Sequence, residues 1–381
     1  MTYDYLVVGA GIAGVTAAEN IRKLKPNATI ALSGDENEPL YNRIALPYFV
    51  KGTRQRQTLF LRKLEDYKTN RIDAWLDDPV TSSAHKTATL RSGKTITFDR
   101  AVLAYSGSVR KLNGNAQVYY LRTLNDAERI KQAIGSAKVP IVVGDSFIAL
   151  ELIGICMELK KPVKVVIPGE HFFAGRFSRA CTEVLERHLV SHGVTIISNT
   201  KVDRADGTTK FEKLVTADGK EITGDFCGAG IGLEFNLALA TQFGVATNKG
   251  VITDEYLRAS DNVWAAGDLV EFLDVRTGAR HTLGNWVHGS ESGRVAGVNS
   301  AGVPTIYETI STYSTQAVGV TVAVAGNTTP NPQNEVQYER LEHGIAEIIM
   351  RDGIVIGATI VNMPTLVGKS IMAIRGKKAW A

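Results

Sequence analysis

Leu6-Val7-Val8-Gly9-Ala10-Gly11-Ile12-Ala13-Gly14-Val15 runs from an apolar segment through a glycine pattern into a helical one, and its reading decides the fold. With Thr2–Val8 as a buried strand, 9–14 as a loop, 15–24 as a helix and 29–32 as a second strand, the segment is one β-α-β unit. It carries G-x-G-x-x-G between a strand and a helix, the context that motif needs. Each glycine has its own task. Gly9 permits the tight turn, Gly11 lets the backbone approach a pyrophosphate at the helix N-terminus, and Gly14 lets helix and strand pack closely. Asp35 or Glu36, after the second strand, is placed to accept from a ribose hydroxyl. The apolar run is read as strand and loop, not as a secretion signal, because Asp4 precedes it and no basic segment does.

The same pattern returns at Pro140–Val143, followed by Gly144-Asp145-Ser146-Phe147-Ile148-Ala149, a helical stretch 150–159 and a strand 163–167. This second copy is degenerate. Ser146 replaces the middle glycine and offers a hydroxyl donor near the phosphates, and Ala149 is a tolerable third residue. Where an acid should read the ribose stands Ile167, followed by Pro168. The next acid is Glu170, with His171 and Arg176 beyond. The chain is therefore expected to be α/β, with two Rossmann-like dinucleotide-binding domains of the three-layer ββα type. From about Pro304 the sequence alternates as strands do, over 318–325, 345–350 and Ile354–Val361, with a helical stretch near the end. That predicts a small α+β C-terminal domain. The expected boundaries are 1–110 with 230–303 for the first dinucleotide domain, 111–229 for the second and 304–381 for the last.

Composition narrows the class. With 381 residues, 44% hydrophobic and 22% charged, the chain is an ordinary globular protein. A net charge of +4 without a basic cluster argues against nucleic-acid binding. No apolar stretch reaches the length of a membrane span, so no membrane association is expected. Cys156, Cys181 and Cys227 lie far apart, with no spacing that makes a zinc or iron–sulfur site, and a reducing, cytoplasmic setting is the default. His188 and His192 lie on a helix with no third ligand nearby and are expected to face solvent.

Five segments in series carry a resemblance: the turn 9–14, Tyr41-Asn42-Arg43-Ile44-Ala45-Leu46, the stretch 144–151, Gly250-Val251-Ile252-Thr253-Asp254-Glu255, and Ala265-Ala266-Gly267-Asp268. Over about residues 1–305 the chain resembles the FAD-dependent pyridine nucleotide-disulfide oxidoreductase superfamily. Gly284-Asn285-Trp286, leading into Gly293-Arg294-Val295-Ala296, is similar to rubredoxin and ferredoxin reductases and to the flavoprotein portion of NADH-dependent nitrite reductase. The resemblance implies FAD on the first domain. Gly9, Gly11, Ile12, Ala13 and Gly14 would hold its pyrophosphate, and Asp35 or Glu36 its adenosine ribose. Arg43 would lie along the pyrophosphate and flavin edge, Pro47 counts among the cofactor-binding residues, and Val80 would meet the adenine through its backbone. Ser106 and Gly107 mark the domain crossing. Asp268 would bind a ribityl hydroxyl, with Gly267 allowing close approach, and Trp286 would lie at the pyrimidine end of the flavin.

On the second domain the resemblance assigns Gly144, Ser146, Phe147 and Ile148 to NAD(H) or NADP(H). Glu151 either caps local hydrogen bonds or is the family's glutamate near the nicotinamide. The lysine that pairs with that glutamate in ferredoxin reductases is expected to be missing, since Pro47-Tyr48 stands in its place. No cysteine occurs near residues 40–50, so a thiol relay is excluded. The implied activity is electron transfer between NAD(P)H and a rubredoxin, ferredoxin or iron–sulfur subunit, without a redox disulfide. Two alternatives stand beside it: an FAD subunit passing electrons from iron–sulfur subunits to NAD+, as in a phenylglyoxylate dehydrogenase-like complex, and a non-enzymatic FAD-holding scaffold. Homodimer and heteromeric complex both remain open.

Overall fold

A computed structural model describes residues 1–276, 278–329 and 331–380. The chain divides into two compact units, one of residues 1–42, 57–108 and 233–309, the other of 43–56, 109–232 and 310–381.

The first unit is built on a sheet in the order Arg258–Ser260, Val263–Ala265, Thr95–Leu103, Thr2–Val8, Ile30–Ser33, Ile72–Trp75. Thr2–Val8 runs parallel to both neighbours, Ile30–Ser33 and Thr95–Leu103. These are two sequence-distant partners on opposite sides. The strand order reverses there, which opens a crevice beyond the strand ends, and the first glycine turn leaves Val8 at that point. Leu6, Val7, Ala31, Leu32, Ala101, Val102 and Leu103 are fully buried, as expected of a parallel sheet covered on both faces.

The helix Ile12–Leu24 packs along the helix Trp286–Ser300 through a row of small residues. A Cβ on Gly293 would stand 2.2 Å from the Ala13 carbonyl oxygen, and one on Gly297 would stand 2.6 Å from that of Ala17. Gly293→Val is accordingly expected to destabilise the chain by about 3 kcal/mol or more, read as a fall in the denaturant midpoint, because the clash is with backbone and cannot relax by a rotamer change. An unchanged midpoint would refute this account of the crossing.

The second unit holds a parallel sheet in the order Thr195–Ile197, Lys164–Val166, Pro140–Val143, Phe226–Ala229, and beside it a sheet in the order Glu221–Thr223, Lys213–Thr216, Val202–Asp206, Asn113–Gly114. It also holds the antiparallel sheet Thr312–Thr315, Val322–Gly326, Ile354–Val361, Gly344–Arg351, Glu335–Leu341, covered by the helix Thr365–Gly376. Segment 43–56, expected from sequence in the first domain, packs as part of this second unit.

Both glycine-turn helices begin three residues earlier than the sequence pattern places them, at Ile12 and Phe147. The second halves of the two motifs are already helical.

Candidate functional site

The three glycines of the first turn differ in what surrounds them. Gly9 has φ +112°, and a Cβ there would lie 2.4 Å from the Ala104 carbonyl oxygen. A Cβ on Gly14 would lie 1.7 Å from the Gly9 carbonyl oxygen. These two are required by the fold itself. Gly11 is different: its φ of −77° and ψ of −173° suit any residue, and a Cβ there would meet nothing within 4 Å. The space above Gly11 is open, and Gly11, as N-cap of Ile12–Leu24, supplies no side-chain cap to that helix. Open space over an uncapped helix N-terminus fits a pyrophosphate, whose oxygens accept from the first-turn N–H groups and lie at the positive end of the helix dipole.

Around this turn the first unit sets further polar groups. Glu36 is half-buried and its Oε2 accepts from the Tyr41 hydroxyl at 2.7 Å, whereas Asp35 is exposed. The fixed carboxylate of Glu36 is therefore the better placed of the two for a ribose. Val80 is buried and its N–H already donates to Ser33 Oγ at 3.0 Å, so the adenine contact expected of its backbone has lost its donor. Asp268 accepts from Ser106 Oγ at 2.9 Å through Oδ2. Gly107 has a packing reason: a Cβ there would stand 2.7 Å from the Glu234 carbonyl oxygen. Gly267 has φ +73° and is buried. Trp286 opens its helix, packed against the core, with Asn285 as N-cap accepting from the His288 N–H.

In the second unit the turn is occupied by its own side chains. Gly144 has φ +117°, and a Cβ would lie 2.4 Å from the Gly230 carbonyl oxygen. Ser146 corrects the expectation made of it. Its Oγ accepts from the Ala149 N–H at 3.2 Å and donates to the Gly230 carbonyl at 2.7 Å, so the hydroxyl caps the helix and its proton is already engaged. Phe147 lies in an aromatic cluster, with ring centroids 3.9 Å from Tyr313 and 5.0 Å from Phe173, while Ile148 is 38% exposed. Ile167 is fully buried, with its N–H and carbonyl bonded to Ile197 and Thr200. Arg43 Nη1 donates to the Arg122 carbonyl at 2.8 Å, and Pro47 is buried at the start of the helix Leu46–Lys51. His188, expected in solvent, bonds the Val318 carbonyl through Nε2 at 2.7 Å.

Glu151 gathers partners that the sequence does not reveal. Its Oε1 accepts from Thr315 Oγ1 at 2.6 Å, and the Lys51 ammonium lies close enough to act on it electrostatically. Lys51 Nζ itself donates to the Ala317 carbonyl at 3.0 Å, so it acts on Glu151 through its charge and not as a bonded partner. Burial raises the Glu151 carboxyl above its ordinary value, and the Thr315 hydroxyl and Lys51 oppose that rise without cancelling it.

All three thiols are buried. Burial pushes Cys156 and Cys181 up to about 12 and raises Cys227 as well, so they stay protonated and inert. A variant with all three replaced by Ala is expected to lose some stability but to keep electron transfer within about twofold of wild type. Loss of electron transfer in a folded, flavin-loaded triple variant would contradict this. Among the described residues, no helix is long and apolar enough to cross a membrane.

Comparison with known proteins places this geometry. The family model described as pyridine nucleotide-disulphide oxidoreductase matches residues 3–293. The ferredoxin–NAD(+) reductase component of the biphenyl dioxygenase system of Paraburkholderia xenovorans (strain LB400) is 26% identical over 369 residues, covering 93% of this chain and 89% of that protein. The NADH-dependent phenylglyoxylate dehydrogenase subunit epsilon of Aromatoleum evansii is 25% identical over 308 residues, covering 79% of this chain and 73% of that one. The crystal structure of the covalent putidaredoxin reductase–putidaredoxin complex matches the fold with a TM-score of 0.91 at 22% identity, covering 98% of this chain and 93% of that chain.

Proposed function

The chain belongs to the pyridine nucleotide-disulphide oxidoreductase family, and from that premise we propose that it moves electrons between NAD(P)H and a small iron–sulfur or rubredoxin-type protein through FAD. The observation that carries the reading is the open space over Gly11 at an uncapped helix N-terminus. FAD, when bound, supplies the exchange between two-electron and one-electron chemistry.

The chain's own residues bind and orient. The first-turn N–H groups after Gly11 receive the pyrophosphate, Glu36 held by Tyr41 accepts from the adenosine ribose, and Asp268 held by Ser106 accepts from a ribityl hydroxyl. On the second unit the start of the helix Phe147–Glu158 receives the nicotinamide nucleotide, and Glu151 reads its nicotinamide end. The domain division 1–110 with 230–303, 111–229 and 304–381, with segment 43–56 packing on the second unit, is part of this proposal, as is a cytoplasmic setting, which three unpaired thiols favour. The direct test is the purified chain. One FAD per chain, reduction by NADH or NADPH and reoxidation by an added ferredoxin or rubredoxin are expected, and protein that binds no FAD would overturn the proposal.

A second reading has support in the relative named as a phenylglyoxylate dehydrogenase subunit, in which this chain would be the FAD subunit of a larger complex. Co-purifying iron–sulfur polypeptides would favour it.

Glu151 gives a pH test with a definite sign. Its folded value lies above its unfolded one, so its contribution to stability is full below the ordinary carboxylate range and is lost as pH rises through the folded value. Thr315→Val removes a hydrogen bond to the ionised form and moves that value higher still. The midpoint of the pH profile for flavin reduction by NADH is expected to rise, and the rate at neutral pH to fall by about three- to tenfold, with Thr315→Ser restoring both. An unmoved profile would separate Glu151 from the reaction.

A further inference from the structure

Gly267 is the one residue between the strand Val263–Ala265 and Asp268 whose two backbone polar groups are both held by side chains of a single helix, Trp286–Ser300. Its N–H donates to Ser292 Oγ at 2.9 Å, and its carbonyl meets His288 Nε2 at 3.0 Å and also accepts from the Val270 N–H. Ser292 in turn donates to the His288 carbonyl at 2.6 Å. The two peptide groups flanking Gly267, the second of them leading into Asp268, are therefore both clamped.

His288 itself is 1% exposed, and its Nδ1 lies 2.6 Å from the Tyr307 hydroxyl. The protonation pattern follows from chemistry. A carbonyl can only accept, so Nε2 carries the hydrogen, and a neutral ring then leaves Nδ1 to accept from Tyr307. Burial lowers His288 from its ordinary value and raises Tyr307, which keeps both in these neutral forms. The Phe272 ring stands edge-on to Tyr307, with centroids 5.1 Å apart, and seals the pair. An apolar side chain of similar size would fill this space at lower desolvation cost. What the imidazole adds is direction: together with the Val270 N–H on the same oxygen, its Nε2–H fixes the orientation of the peptide between Gly267 and Asp268.

We propose that His288, oriented by Tyr307, is a positioning residue for FAD: through Gly267 it fixes the aim of the Asp268 carboxylate at the ribityl chain. The inference rests on the reading of Asp268 as a flavin ligand. Gln and Asn separate the two ring nitrogens, since Gln Nε2 can reproduce the bond to Gly267 and Asn reaches only as far as Nδ1.

The test uses the full-length chain and follows FAD release by fluorescence, together with the absorption spectrum and midpoint potential of the bound flavin. His288→Gln is expected to release FAD within about threefold of the wild-type rate, and His288→Asn about tenfold faster with a shifted flavin spectrum and potential. Tyr307→Phe keeps the imidazole but frees its orientation. It serves as the second variant if His288→Asn does not fold, with faster release and a shifted spectrum again expected. Equal release and identical spectra for wild type, His288→Asn and Tyr307→Phe would overturn the inference, and so would equal losses in the Gln and Asn variants. Wild-type protein without FAD would instead refute the flavin reading itself, so the two failures are distinguishable.

Discussion

Gly11→Val is expected to give a folded protein that carries almost no FAD. The backbone at Gly11 is extended and suits any residue, and a Cβ there meets no heavy atom within 4 Å, so the chain without cofactor accepts valine at little cost. The branched side chain then fills the space a pyrophosphate needs and shields the first-turn N–H groups. Overpacking of about 1–3 kcal/mol against the ligand corresponds to roughly ten- to a hundredfold weaker binding. Gly14→Val is the control with the opposite failure. Its Cβ would lie 1.7 Å from the Gly9 carbonyl oxygen, so that variant loses the fold and not merely the ligand. Flavin-to-protein ratio and melting temperature, measured on both, separate the cases. Full flavin occupancy in Gly11→Val would remove the first turn from the binding site.

The contrast between those two glycines shows how far the sequence can be read. The positions of Gly9, Gly11 and Gly14 are set by local sterics between one strand and the next helix, so the motif carries its own structural context. Interactions across long sequence distances carry no such signal. Thr315 reaches Glu151 from a distant strand, and nothing around either residue announces the pairing. No lysine stands beside Pro47, and the one whose charge reaches Glu151 is Lys51, at the far end of the helix Leu46–Lys51, about one helical turn along. Ser146 reads as a phosphate donor only while its hydroxyl is counted as free, whereas an N-cap position claims it. The strand Glu335–Leu341 is illegible in the sequence: nearly every residue in it is exposed, so it lacks the in–out alternation that marks a half-buried strand. His288 shows no pattern because its partners, Gly267 and Tyr307, meet it only in the folded chain.

Wild-type flavin is expected to be reduced by NADH and NADPH at rates within about tenfold of each other, because the residue that should choose between them is absent. Strand register locates the gap. Val8 pairs with Ser33 in the first unit and Val143 with Val166 in the second, so Gly34 corresponds to Ile167 and Glu36 to Gly169. The second turn thus has no carboxylate where the first has Glu36. Nor is Ile167 a place to restore one. It is fully buried with both backbone groups bonded, so Ile167→Glu would bury a carboxylate and destabilise the unit without reaching a ribose. Gly169 is the position to use, and its obstacle is specific: a Cβ there would stand 2.9 Å from Ala174 Cβ and 3.3 Å from the His171 carbonyl oxygen. Gly169→Glu combined with Ala174→Gly removes the nearer contact. That double variant is expected to tighten NADH and to repel the 2′-phosphate of NADPH, moving selectivity toward NADH by about ten- to a hundredfold, the worth of one charge-assisted hydrogen bond. Stopped-flow reduction with each nucleotide, on wild type and on the double variant, decides the matter. Strong NADH selectivity already present in the wild type would assign the ribose to exposed Glu170, the acid next to Gly169, and an unchanged ratio in the double variant would show that the register equivalence does not carry over to the bound nucleotide.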